Sequence, residues 1–234
     1  LDEQGRLIYY PMYAENRRLE RQLDVREALL QHGFIIQEII DFSNYEEHHL
    51  YLEGAGVIVL DRKNSVAYCS LSARVEKELL LKFCGQLGYE PYIFESFHIK
   101  KGVLTPIYHT NVMLTLSEQF AILCTESIVD IKQRQALITK LEQSHREVIP
   151  ISIKQLNHFA GNMLQLQNQA GELVLIMSTQ AYLSLNPSQI RKITSSSKII
   201  HSNLSTIETY GGGSARCMLT EIFLPRKTEG QQIS

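Results

Sequence analysis

The sequence predicts a mixed α/β fold: an α/β propeller of pseudo-symmetric ββαβ modules around a central channel, its first module incomplete, in a single domain over residues 1–234. Three observations lead there. Four segments in which small or polar residues precede an apolar run recur with Glu53, His109, Asn162 and Cys217 as markers, at spacings of 56, 53 and 55 residues. Three of these segments continue into a hairpin signal, and each hairpin into a helical pattern and a further short apolar strand. Self-similarity at such a period marks a repeat architecture, and a helix in every unit excludes the all-strand blades of about 40–45 residues.

In chain order, Gly5-Arg-Leu-Ile-Tyr-Tyr10 reads as a strand with no partner before it. Because the chain opens on Leu1 rather than Met, a missing N-terminal segment is expected. Residues 19–30 carry a helical pattern stopped by Gly33, and 34–40 read as the next strand. The first full module opens at Glu53-Gly-Ala-Gly-Val-Ile-Val-Leu60, turns at Asp61-Arg-Lys-Asn64 and returns over 65–71. Its helix carries Val75, Leu79, Leu80, Phe83 and Leu87, ends at Gly88, and leads into a strand over 92–97. The second runs from His109-Thr-Asn-Val-Met-Leu114 through strand 120–125 and helix 131–141 to strand 148–153. The third opens at Gly161-Asn-Met-Leu-Gln-Leu166, turns at Asn168-Gln-Ala-Gly171 and returns over 173–178. Asn186-Pro187 then caps a shorter helix, and 198–201 close the module. The fourth marker segment is Gly211-Gly-Gly-Ser-Ala-Arg-Cys-Met-Leu219. A pseudo-rotation axis relating the modules would bring their markers, and so a Glu, a His and a Cys, to one pocket.

Bulk composition narrows the function classes. With 234 residues, 44% hydrophobic, and a net charge of −2, the chain can bury one sizeable core and offers no basic surface for nucleic acid or anionic membrane. It has neither an apolar run of the roughly 18 residues a membrane helix needs nor the pattern of an export signal. Cys69, Cys84, Cys124 and Cys217 form no C-x-x-C pair, which argues against a zinc site or a disulfide framework and fits a reducing cytoplasm.

A Cys, a His and a carboxylate are the set needed for nucleophilic attack at an electrophilic carbon. A thiol working at neutral pH needs a nearby cation or backbone dipoles, and the three glycines before Ser214 permit close backbone approach to Cys217. Taken alone those glycines read as a flexible loop; their place before a marker favours a functional turn. Cys69, Cys84 and Cys124 fall in apolar strands or on a helix face, where packing is the expected role. Of eight histidines, His109 is the one at a marker position.

Leu52-Glu-Gly-Ala-Gly56, Tyr108-His-Thr-Asn-Val112 and the glycine-preceded Cys217 resemble three signature segments of the guanidino-group-modifying (pentein) enzymes, in their amidinotransferase and dimethylarginine dimethylaminohydrolase branch. The chain further resembles bacterial citrulline-utilisation hydrolases and amidinotransferases over essentially its whole length. The resemblance implies that Cys217 attacks a guanidinium carbon, His109 protonates the departing amine and then activates water, and Glu53 binds the planar cation. It also implies that Arg74, in Ser72-Ala-Arg74, and Arg17, in Asn16-Arg17-Arg18, hold the carboxylate of an amino-acid substrate. Arg17 and Arg18 read equally as the solvated start of a charged helix, and Asp61-Arg62 as an ordinary hairpin turn. Asn162, without an ionisable group, stays outside the catalytic set as a channel hydrogen bonder or a bridge of a tight turn.

The expected reaction is hydrolysis of a C–N bond of a guanidino or ureido amino acid, with no metal and no organic cofactor. An amidinotransferase and a non-catalytic propeller scaffold are the alternatives. The expected partner is that small molecule, with a possible second copy in a homodimer and neither nucleic acid nor membrane. Two departures qualify the resemblance: no match to the family's upstream acidic guanidinium-binding residue, and Asn111 where arginine deiminases carry aspartate.

Overall fold

A strand, an antiparallel return strand, a helix and a strand parallel to the second repeat three times in the computed structural model, which describes residues 2–21, 23–100 and 102–227. Leu1 and Gln22, which fall in the expected N-terminal opening and first helix, lie outside the described residues. The chain forms two compact units, Gly54–Leu219 and Leu1–Glu53 with Thr220–Ser234.

In the larger unit the first repeat is β3 (Val59–Asp61), β4 (Val66–Ser70), α2 (Lys77–Leu87) and β5 (Glu90–Phe94). The second is β8 (Leu114–Leu116), β9 (Phe120–Leu123), α3 (Ile131–Gln143) and β10 (Glu147–Pro150). The third is β11 (Leu164–Gln167), β12 (Leu173–Ser178), α5 (Thr179–Ser184), α6 (Pro187–Thr194) and β13 (Lys198–Ser202). A β6–β7 hairpin (Phe97–Lys100, Val103–Pro106) follows the first repeat, α4 (Ile153–Leu156) the second, and α7 (Ser205–Tyr210) the third.

Local chemistry explains the helix ends. Asp130 caps α3 by accepting from the backbone N–H groups of Lys132 and Gln133. Asn186 and Gln189 form a reciprocal capping box, with Pro187 in the first turn of α6. The returning strands β4 and β9 are buried on both faces, so they read as continuous apolar runs, and Tyr68, Phe120, Ile122 and Leu123 enter one core with Ile149, Leu175 and Met177. Each such side chain contributes roughly 1.5–3 kcal/mol on full burial.

One buried ion pair sits beside that core. Asp61 receives both terminal guanidinium nitrogens of Arg146, and the Arg146 Nε donates to the Ser117 carbonyl. Burial works against the charge on Asp61, but the Arg146 and Asn64 hydrogen bonds outweigh it and hold the carboxyl below its ordinary range. The expected hairpin turn at Asp61 is present, and it is tied to the chain ahead of β10.

In the smaller unit, β1 (Arg6–Tyr9) pairs in parallel with β2 (Glu38–Asp41), and α1 (Leu23–Gln31) lies between them in sequence. The expected helix over 19–30 is split: a 3-10 turn, Glu15–Glu20, ends near Arg21 before α1 begins. Tertiary ion pairs override the helical pattern here, because Arg18 and Arg21 converge on Glu46 and the Arg21 guanidinium also donates to the Tyr10 carbonyl. The expected strand over 34–40 shortens to β2, since Phe34 instead bridges to Arg226, whose guanidinium lies 4.5 Å from the phenyl centroid.

The marker segments also differ from expectation. They are 3-10 turns at Gly54–Gly56, Thr110–Val112 and Ala215–Met218, and strands begin only after the first two. Among the described residues no named strand follows Cys217. Side chains of the later turns bond to neighbouring modules: Thr110 to the Val57 carbonyl, Asn111 to the Ala55 carbonyl, and Cys217 to Asn162. No helix of the described residues is long and apolar enough to cross a membrane.

Candidate active site

His109 caps the turn Thr110–Val112 and is buried. That turn is fixed from both sides: the Thr110 hydroxyl donates to the Val57 carbonyl at 2.6 Å and accepts from the Ser70 N–H at 2.8 Å. The Asn111 carboxamide donates to the Ala55 carbonyl at 3.0 Å. Gly56 is required by the imidazole, because a Cβ there would lie 2.8–3.0 Å from three atoms of the His109 ring. The glycine of the Leu52-Glu-Gly-Ala-Gly56 segment is thus the seat of the histidine one module on.

Cys217 sits on the turn Ala215–Met218 and is exposed. Its N–H donates to the Ser214 carbonyl, and the buried Ser214 hydroxyl is held by Glu208 at 2.6 Å. At Gly213 a Cβ would come within 3.0 Å of the Cys217 Cβ and 3.1 Å of its Sγ, so a larger residue would press on the sulfur. The other three cysteines are buried, and burial pushes their thiols up, Cys69 to about 12 and Cys84 and Cys124 to about 11. They are poor sources of thiolate.

Three residues outside the expected site connect its parts. Tyr108 packs its ring 4.8 Å from the His109 imidazole and donates its hydroxyl to the Gly212 carbonyl at 2.7 Å. The Arg74 guanidinium lies 5.2 Å from the centre of the same ring, and Ser72 joins the Arg74 N–H to the Tyr108 carbonyl. Asn162 donates to the Cys217 sulfur at 3.3 Å and to the Asn111 carbonyl at 2.9 Å. Within the larger unit, His109, Arg74 and Cys217 are therefore linked through Tyr108, Asn111 and Asn162. The marker position of Asn162 was the sequence signal for its role; nothing in the sequence singled out Tyr108 beyond its place next to His109.

In the smaller unit Glu53 and Arg17 meet. One Glu53 carboxylate oxygen accepts from the Tyr13 N–H at 3.0 Å and the other from the Arg17 Nη1 at 3.2 Å. The same guanidinium makes two bonds to Glu20, at 3.0 and 3.1 Å. Glu53 already binds a planar guanidinium in this structure, and Arg17 already binds carboxylates.

The family model of eukaryotic N,N dimethylarginine dimethylhydrolase matches residues 1–224. No curated protein matches the chain in sequence. Among solved structures, the cyanobacterial arginine dihydrolase ArgZ of the ornithine–ammonia cycle aligns with a TM-score of 0.68 at 16% identity, over 96% of this chain and 32% of that one. The chain thus spans about a third of the whole dihydrolase. The amidinotransferase SxtG of Microseira wollei aligns with a TM-score of 0.64 at 16% identity, over 97% of this chain and 66% of that one. A dimethylarginine dimethylaminohydrolase bound as an adduct to S-methyl-L-thiocitrulline gives 0.55 at 15% identity, over 90% and 69%. These alignments establish a shared mixed α/β fold with small sheets.

Proposed function

The chain belongs to the N,N-dimethylarginine dimethylhydrolase family, in the pentein superfamily, and from that premise we propose that it hydrolyses a C–N bond of a guanidino or ureido amino acid through a covalent bond to Cys217. For a guanidino substrate, the Cys217 thiolate attacks the guanidinium carbon and the C–N bond to the departing amine breaks. His109 gives that amine its proton, which leaves a thiouronium on the sulfur. Water, deprotonated by His109, then adds to the same carbon and the thiolate leaves, yielding the ureido product. Glu53 binds the guanidinium, and Arg74 and Arg17 the substrate carboxylate. The proposal includes a propeller arrangement for the three repeats of the larger unit, and a cytoplasmic, reducing setting that keeps Cys217 a free thiol.

One observation carries the reading: Cys217 is exposed and accepts a hydrogen bond from a buried amide, whereas the other three cysteines are buried thiols. An alkylated Cys beside an uninhibited enzyme would contradict it. The test is to supply arginine, methylarginines, agmatine and citrulline, with and without an amine acceptor, and to follow release of ammonia, amine or ureido product. Acid quenching during turnover should trap the substrate-derived group on the peptide containing Cys217, and Cys217→Ser should lower turnover by about a thousandfold or more. Absence of turnover with every substrate overturns the proposal, while product formed only with the acceptor assigns the transferase reaction.

A further inference from the structure

We propose that Asn162 is the positioning residue of the Cys217 nucleophile: one buried carboxamide hydrogen-bonds the sulfur and clamps the turn bearing Cys217 to the turn that follows His109. The inference rests on reading Cys217 as the nucleophile.

The geometry is saturated. Asn162 has no exposed surface, and its side chain makes three short contacts. Its Oδ1 accepts from the Arg216 N–H at 3.1 Å, and its Nδ2 faces the Asn111 carbonyl at 2.9 Å and the Cys217 Sγ at 3.3 Å. A backbone N–H can only donate and a carbonyl only accept, so both neighbours fix the same orientation of the amide. The two Nδ2 hydrogens are then shared between the carbonyl and the sulfur.

A donor held at this distance fixes where the sulfur sits on its turn, which is what attack on a substrate carbon requires. The Asn111 Oδ1 lies 4.0 Å from the sulfur and 3.5 Å from the Asn162 Nδ2, so the two carboxamides and the sulfur form one cluster. The titratable or charged side chains on the two clamped turns are His109, Arg216 and Cys217 itself. The Arg216 guanidinium donates to the Leu219 carbonyl, and the Asn162 amide is a neutral donor to the sulfur.

Asn162 is itself braced. Its N–H donates to the Phe159 carbonyl, in a turn where Phe159 has a φ of 60°, and the preceding Gly161 carbonyl accepts from the buried Thr115 hydroxyl at 2.8 Å. Rigid support of this kind is what a positioning group needs to hold a reacting atom in place.

Asn162→Asp tests the proposal because it preserves volume and the Oδ1 contact to Arg216 while replacing the donor with an acceptor. Cys217 alkylation by iodoacetamide is followed by peptide mapping across pH. The variant is expected to alkylate about tenfold more slowly across the profile. Turnover should fall in parallel while KM changes less than about twofold. Asn162→Ser, whose hydroxyl falls short of the sulfur, is the second variant, used if the aspartate form does not fold. An unchanged profile in a folded variant overturns the assignment. Alkylation needs no substrate, so a slowed profile in a protein with no turnover would sink the hydrolase reading and leave the positioning role standing. Normal turnover with an unslowed profile would do the reverse.

Discussion

Each unit of this molecule contains a buried carboxylate bound by an arginine, and the two pairs are built differently. In the larger unit Asp61 and Arg146 are both nearly inaccessible, and the guanidinium is further bound by a carbonyl and the Ser144 hydroxyl. In the smaller unit the Glu53 carboxylate is inaccessible but the Arg17 side chain that binds it is 34% exposed and also binds an exposed Glu20. The first pair has no contact that a ligand can replace. In the second, the proposed substrate carboxylate would take the position of Glu20 and the proposed guanidinium that of Arg17. Saturation marks the structural pair and exchangeability the functional candidate.

The largest expected effect comes from breaking the saturated pair. Arg146→Ala leaves Asp61 buried without its cation and should cost about 3–5 kcal/mol of stability at neutral pH, measured by urea unfolding. A variant as stable as the wild type would remove the distinction drawn between the pairs.

Acid should sharpen the same comparison. The Asp61 carboxyl is held below its ordinary range in the folded protein, so its contribution is fully present above the unfolded value of about 4 and is lost as pH falls toward the folded value. In Arg146→Ala that contribution is gone, and protonating the stranded carboxylate relieves it. The stability gap between wild type and variant should therefore narrow on acidification, as read from unfolding curves between neutral pH and about pH 3. A constant gap would mean that the pair is not what Arg146→Ala removes.

The repeat was legible because it is written in local signals. Asn186-Pro187, the Gly88 stop and the apolar returning strands each specify an element without help from distant residues. The smaller unit was less legible because distant contacts decide it: Glu46 draws in Arg18 and Arg21 and splits a helix that periodicity alone would extend. Within the site, Cys217 and His109 could be read from residue type and spacing. The reason for Gly56 could not, since it lies in the volume of an imidazole 53 positions later. Asn162 was visible as a marker yet undervalued, because an amide that never ionises gives no chemical signal until its three partners are in view.

The smallest stability effect and the most specific functional one should come from Arg17. Its contacts to Glu20 lie at an exposed side chain, where an ion pair contributes less than about 1 kcal/mol, but Arg17→Ala also takes a cation from the buried Glu53 carboxylate, so it should cost more than the Glu20 pair alone and less than Arg146→Ala. If Arg17 reads the substrate carboxylate, loss of that charged bond raises KM by about tenfold and leaves kcat within about twofold, because the contact is the same in ground and transition states. Agmatine, which lacks the carboxylate, supplies the control: its KM should not respond to the substitution. An equal loss for arginine and agmatine would instead place the effect on Glu53, whose carboxylate Arg17 holds, and would move Arg17 from binding the substrate to orienting the group that does.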